Sequence, residues 1–85
     1  MKVLIPSALH SYTGQAWVEA QGGTVGAVLD NLDRQYAGIR FRMIDEQDRM
    51  RPNMRFFVGG AATFDLARPL RPNDTLHIVQ ALSGG

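Results

Sequence analysis

At 85 residues the chain has room for one domain and no second. Nine Lys and Arg against eight Asp and Glu leave a formal charge of +1, which excludes the strongly basic balance of a protein built to track phosphate backbones and the acidic excess of a disordered tail. Cysteine is absent, which excludes disulfides, thiolate nucleophiles and cysteine-based metal sites, and no apolar run approaches the ~18 residues of a membrane span.

In chain order, Val3-Leu4-Ile5 reads as a first strand, stopped by Pro6-Ser7. The run from Met1 to Ile5 is too short for the core of a signal peptide, so a soluble cytoplasmic protein is expected. Residues 8–14 read as a polar turn. Residues 15–21 read as a second strand with Ala16, Val18 and Ala20 on one face, broken by Gly22-Gly23. Thr24 stands at the N-cap of a helix whose apolar stripe is Val25, Val28, Leu29, Leu32 and Tyr36. Asp30 and Arg34 are spaced for an i,i+4 ion pair, and Gly38 is placed to take a positive φ after the helix. Gly26 costs roughly 0.5–1 kcal/mol relative to Ala in the first turn and has no functional reading. Residues 39–52 predict a short helical turn and a mobile loop. Residues 54–58 are a third strand, Gly59-Gly60 a hairpin or bulge, residues 61–64 a short edge strand, residues 71–74 a turn, and residues 75–82 the last strand.

This order, ββαβ(β)β, predicts an α+β protein with a four- to five-stranded sheet and one main helix on one face. The first and last strands are the most apolar and belong at the centre. Alternation places Val3, Ile5, Val18, Ala20, Met54, Phe56, Val58, Leu76 and Ile78 under the helix, with Val25, Val28, Leu29 and Leu32 from the helix itself. Leu4, Trp17, Arg55, Phe57, His77 and Val79 fall on the opposite face.

The run Asp74-Thr75-Leu76-His77-Ile78-Val79 leading to Gly84-Gly85 resembles the last strand and tail of ubiquitin. The Thr24-Val25-Gly26 helix start with Val28-Leu29, the Tyr36-Ala37-Gly38-Ile39 stretch, the Arg55-Phe56-Phe57-Val58 strand and the Asn73-Asp74 turn are similar to those of the prokaryotic β-grasp sulfur carriers. Those carriers serve molybdopterin, thiamin and cysteine biosynthesis, with relatives in secondary metabolism. The resemblance spans essentially the whole chain and implies a β-grasp domain over residues 1–82 and a flexible tail over residues 83–85. It also implies that the second, first, last and third strands lie side by side. Trp17, Leu4, His77 with Val79, and Phe57 would then form one stripe for a partner, with Arg55 facing an acidic rim and Leu82 and Ser83 entering the partner with the tail.

The resemblance implies further that Gly85 is the reacting residue. Its carboxyl would be adenylated with ATP and Mg²⁺ held by a partner enzyme, then converted to a thiocarboxylate. This chain would bind no cofactor itself. Neither Gly84 nor Gly85 carries a Cβ, so the tail can enter a narrow tunnel, and three residues extended reach ~10 Å. Implied partners are the adenylating enzyme, a downstream sulfur-accepting enzyme, a sulfurtransferase, and a trimming protease if a precursor runs past Gly85. The stretch from Tyr36 to Ile39 leans toward the amino-acid or secondary-metabolite carriers. Alternatives are a ubiquitin-like modifier joined through Gly85 and a plain β-grasp interaction module. No nucleophile–base pair or acid–base dyad points to an enzyme.

Other signals have bland explanations. His10 and His77 lack carboxylates at metal-ligand spacing, and Asp45, Glu46 and Asp48 lack the pattern of a calcium loop. Arg40, Arg42, Arg49, Arg51 and Arg55 form a loose basic cluster, but interleaved acids argue against nucleic-acid binding. The glycines around Thr24 lack the Lys of a phosphate-binding loop.

Overall fold

The structure, a computed structural model, describes residues 1–81; Leu82 and the expected tail at residues 83–85 lie outside the described residues. Strands β1 (Lys2–Leu4), β2 (Trp17–Glu19), β3 (Met54–Val58), β4 (Ala61–Thr63) and β5 (Thr75–Gln80) form one mixed sheet in the order β2-β1-β5-β3-β4. β1 and β5 run parallel at its centre, and every other pairing is antiparallel. A short helix α1 (His10–Thr13) follows a 3₁₀ turn at Ser7–Leu9, and helices α2 (Val25–Gln35) and α3 (Ile39–Met43) are consecutive. Sheet order and helix placement make this α+β protein a β-grasp fold, as the family resemblance implies. Among the described residues, no helix is long and apolar enough to cross a membrane.

The expected division of faces holds throughout. Val3, Ile5, Val18, Ala20, Met54, Phe56, Val58, Leu76 and Ile78 are buried against Val25, Val28, Leu29 and Leu32 of α2. Each of the Val, Leu, Ile, Met and Phe side chains, removed from water, contributes about 1.5–3 kcal/mol. The β3–β4 connection is a two-residue hairpin, with Val58 opposite Ala61 and φ of +58° and +83° at Gly59 and Gly60. Positive φ at both central residues matches the twist of the flanking strands, and glycine reaches it without strain.

The start of α2 is anchored by hydrogen bonds to its cap and to a distant part of the chain. Thr24 Oγ1 accepts from Ala27 N at 3.1 Å, as its position predicts. Val25 N donates to Arg68 O at 3.1 Å, Gly26 N to Leu66 O at 2.8 Å and Val28 N to Thr24 O at 3.0 Å. The first-turn donors that a helix leaves orphaned are thus satisfied by its cap and by the chain between β4 and β5. This explains Gly26, where a Cβ would sit 3.2 Å from Leu66 O. Gly22 has a harder constraint, since a Cβ there would lie 2.6 Å from Val28 N and 2.8 Å from Ala27 C.

Three expectations need correction. Residues 8–14 are not a polar turn: they include the 3₁₀ turn and α1, and Leu9 is fully within the core. Asp30 does not pair with Arg34; its Oδ1 lies 2.9 Å from Arg40 Nε, because α3 brings Arg40 back beside α2. Within residues 39–52 the expected short helical turn is present as α3, but the stretch after it is tied back to the domain rather than being a free loop. Ile39, Met43 and Ile44 are buried, Ile44 and Met50 form a β-bridge, and Arg40 also reaches Asp48 at 3.1 Å. Gly38 takes φ +93° as expected, and its N–H and that of Arg40 both donate to Asp33 Oδ1 at 3.1 Å. Asp33 thereby caps α3 from the neighbouring helix.

The turn after Ile44 is organised by Asp45, whose Oδ1 accepts from Gln47 N at 2.9 Å and Arg49 N at 3.0 Å. The Arg49 N–H, and secondarily that of Gln47, hold its carboxyl below the usual Asp range. A depressed folded value means that the stabilisation is present above the unfolded value and is lost as pH falls through the folded one. The amide resonances of Gln47 and Arg49 should therefore titrate together, with a midpoint below the usual Asp range, and Asp45→Asn should remove that titration. In urea melts, Gly22→Ala should destabilise the fold by about 1–3 kcal/mol, the cost of forcing a methyl against backbone. Gly23→Ala, where a Cβ meets nothing within 4 Å, should stay within about 0.5 kcal/mol of the unmodified protein.

Candidate functional site

Helices cover one face of the sheet, and the other face carries the candidate site. Strand register sets its geometry. Trp17 pairs with Leu4, Leu4 with His77, His77 with Phe57 and Phe57 with Ala62, forming one row straight across all the strands. Every residue of the expected stripe lies on this face. Trp17 is 45% exposed and Val79 42% exposed, His77 is exposed, and Leu4 and Phe57 are half-buried. The Trp17 and His77 rings meet edge to face, with centroids 5.5 Å apart and planes at 78°. Because β2 and β5 flank β1, this pair brackets Leu4 and gives the row a fixed aromatic ridge.

Val79 stands two residues beyond His77 and opposite Arg55, so the face continues along β5 toward the C-terminus. Arg55 is exposed, but its guanidinium turns toward the start of its own strand: Nη1 donates to Pro52 O at 2.7 Å and Met54 O at 2.8 Å. Ala81 N donates to Asn53 O at 2.7 Å, which fixes the point where the chain leaves the sheet. Leu82, Ser83, Gly84 and Gly85, the remaining expected site residues, lie outside the described residues.

The minor signals resolve as structural features. His10 Nε2 lies 2.9 Å from Ile5 O. Among the described residues, no group of His, Asp or Glu is arranged to hold a metal ion. Phe41 is the feature that strand-face reasoning misses. It is 54% exposed, because Ile39 and Met43, four residues apart on α3, turn inward and leave Phe41 facing out. That spacing is the signal that could have found it.

A five-stranded mixed sheet with a parallel central pair, gripping one main helix and leaving its other face open, defines a ubiquitin-like β-grasp protein. Within that class the chain belongs to the ThiS family, which it matches over residues 3–85. It is 34% identical to the sulfur carrier protein CysO of Mycobacterium tuberculosis over 95 aligned positions, covering 98% of this chain and 96% of the relative. The CysO of Mycobacterium bovis is equally similar. Among solved structures, the Amycolatopsis orientalis BexX/CysO complex contains a chain that superposes with a TM-score of 0.89 at 31% identity, covering 99% of this chain and 98% of that one. Mycobacterium tuberculosis CysO superposes with a TM-score of 0.88 at 30% identity over 95% of this chain and 98% of that one. SAMP1 of Haloferax volcanii, at 23% identity and a TM-score of 0.79, shares the fold.

Trp17, the sole tryptophan, reports on the open face. Its emission should be that of a partly solvated indole and should be quenched by acrylamide in the isolated protein. A blue-shifted, quencher-resistant emission would place it inside a contact and remove it from the docking row.

Proposed function

We propose that this chain is a sulfur carrier and a protein co-substrate, with Gly85 as the reacting residue. The observation that carries this reading is the family match running through Gly85, together with full-length similarity to sulfur carrier proteins. A carboxylate is a poor electrophile. An adenylating partner, supplying ATP and Mg²⁺, would join the Gly85 carboxylate to AMP and release pyrophosphate. The terminal sulfur of a persulfide donor then attacks the carbonyl carbon and AMP leaves; a thiol attacks the donor-side sulfur of the resulting acyl disulfide, so that the donor leaves as a disulfide and a terminal thiocarboxylate remains. Its sulfur is a nucleophile that a downstream enzyme can accept without free sulfide being released. The cytoplasm, where ATP is abundant, is the compartment this chemistry requires.

The geometry supports a division of labour in which the domain docks and the tail reacts. Along β5, His77 and Val79 on the open face lead directly to Ala81. An enzyme seated on the row from Trp17 to Phe57 therefore sits beside the point where the chain leaves the sheet. Gly84 and Gly85 lack side chains that would obstruct a narrow active-site channel, and Leu82 and Ser83 would be the last residues read at its mouth. The scaffold supplies position; catalysis belongs to the partner.

Incubation with the cognate adenylating enzyme, ATP and a sulfur donor should raise the intact mass by the exchange of one oxygen for sulfur, and deletion of Gly85 should abolish the gain. Isopeptide-linked conjugates without any thiocarboxylated protein would instead make the chain a modifier.

A further inference from the structure

The basic residues from Arg40 to Arg51 divide into two groups in the fold. Arg40 is neutralised by Asp30 and Asp48, and Arg49 by Asp45, with a further hydrogen bond to Gln47. Arg42 and Arg51 enter no ion pair among the described residues. Arg51 is nevertheless held firmly. Its backbone N–H donates to Met43 O at 3.0 Å, its Nε donates to Phe41 O at 2.7 Å, and its guanidinium carbon lies 4.6 Å from the centre of the Phe41 ring. Stacking and one N–H bond fix the plane of the guanidinium and leave its terminal nitrogens aimed at no acceptor among the described residues.

Phe41, Arg42, Arg51, Asn53 and Gln80 line one cleft, and no acidic side chain lines it. Two observations tie this cleft to the C-terminus. Gln80 is the last residue of β5, and Asn53 O holds Ala81 N. Gln80 also shares its side of β5 with the buried Leu76 and Ile78, so the cleft opens on the helix side of the sheet, opposite the apolar row. The point where the chain leaves β5 therefore has an apolar surface on one side and a preset cationic, aromatic notch on the other.

We infer that this cleft is a second docking point, which receives carboxylate side chains of the enzyme that activates the C-terminus; the inference rests on the carrier reading. A fixed guanidinium presents paired N–H donors at carboxylate spacing, and the second arginine adds charge without competing for Phe41. Gripping the strand end from both sides fixes the rotation of the carrier about the axis of β5, which an apolar row alone leaves loose. Nucleic acid fits the site poorly: the neighbouring arginines are spent on Asp30, Asp45 and Asp48, and two free cations do not form a track of phosphate contacts.

The test is steady-state adenylation, read as pyrophosphate release by the cognate adenylating enzyme at varied carrier and salt concentrations. Arg42→Glu with Arg51→Glu should raise KM by about tenfold or more, leave kcat within about twofold, and flatten the rise of KM with salt shown by the unmodified protein. Arg42→Glu alone, a change at an exposed side chain with no bond to break, should raise KM by about threefold or more and separates docking from any loss of Arg51 packing. Arg34→Glu on α2, an equal change in charge elsewhere, should leave both constants unchanged. A KM for the charge-reversed proteins within about twofold of the unmodified value overturns the inference while leaving the carrier reading intact. Arginine-dependent retention of a single-stranded RNA oligonucleotide would assign the cleft to nucleic acid and overturn it equally. Failure of the unmodified protein to be adenylated at all would remove the carrier reading and this one with it.

Discussion

The fold depends on one pairing, the parallel ladder between β1 and β5. Lys2, Val3 and Leu4 lie beside Thr75, Leu76 and His77, so the first and last strands of the domain are neighbours at the centre of the sheet. Parallel neighbours cannot be joined by a tight turn, and here nearly the whole chain forms the crossover between them. Every intervening element must fold back onto this pair before its contacts close. The same pairing holds the C-terminal strand between two partners rather than at an edge. It also fixes the register that lines up Trp17, Leu4, His77 and Phe57.

A second constraint follows from having one principal helix and one sheet. The helix can bury only one sheet face, so its start must be anchored firmly enough to serve as the lid of the core. The chain between β4 and β5 does this by accepting from Val25 and Gly26, and Leu70 N returns a bond to Gly23 O at 2.8 Å. The segment that otherwise looks like a long connector is therefore part of the helix cap. The uncovered face keeps its aromatic and aliphatic row in water, which is unfavourable for an isolated domain and useful for one that works through partners.

Much of this was readable from residue order because local preference and tertiary role agree. Alternation in the third and last strands separates Phe56 and Ile78 from Phe57 and His77, and burial follows that split. Thr24 caps α2 because its hydroxyl and the first-turn N–H groups need each other in any context. What was not readable depends on distant chain segments. Leu9 stands between Ser7 and His10, and only the folded position of the 3₁₀ turn at Ser7–Leu9 shows that it belongs to the core. Arg34 is at ideal spacing from Asp30, yet Arg40 takes that carboxylate because α3 folds back beside α2. The stretch after the short helical turn reads as a mobile loop because its charges mask the anchoring of the segment by the buried Met43 and Ile44 and by the Ile44–Met50 bridge. Gly26 gives no local signal of its role, since the backbone oxygen it makes room for belongs to Leu66, and Gly22 is explained only once α2 forms and brings Ala27 and Val28 against it.

The central location of β5 has a mechanical consequence. A force applied at the end of this strand is directed along it, while its ladders to β1 and β3 lie on either side. Those hydrogen bonds must then yield in shear, many at once, rather than peel apart singly as they would at a sheet margin. A domain held by its C-terminus can thus bear tension without unravelling.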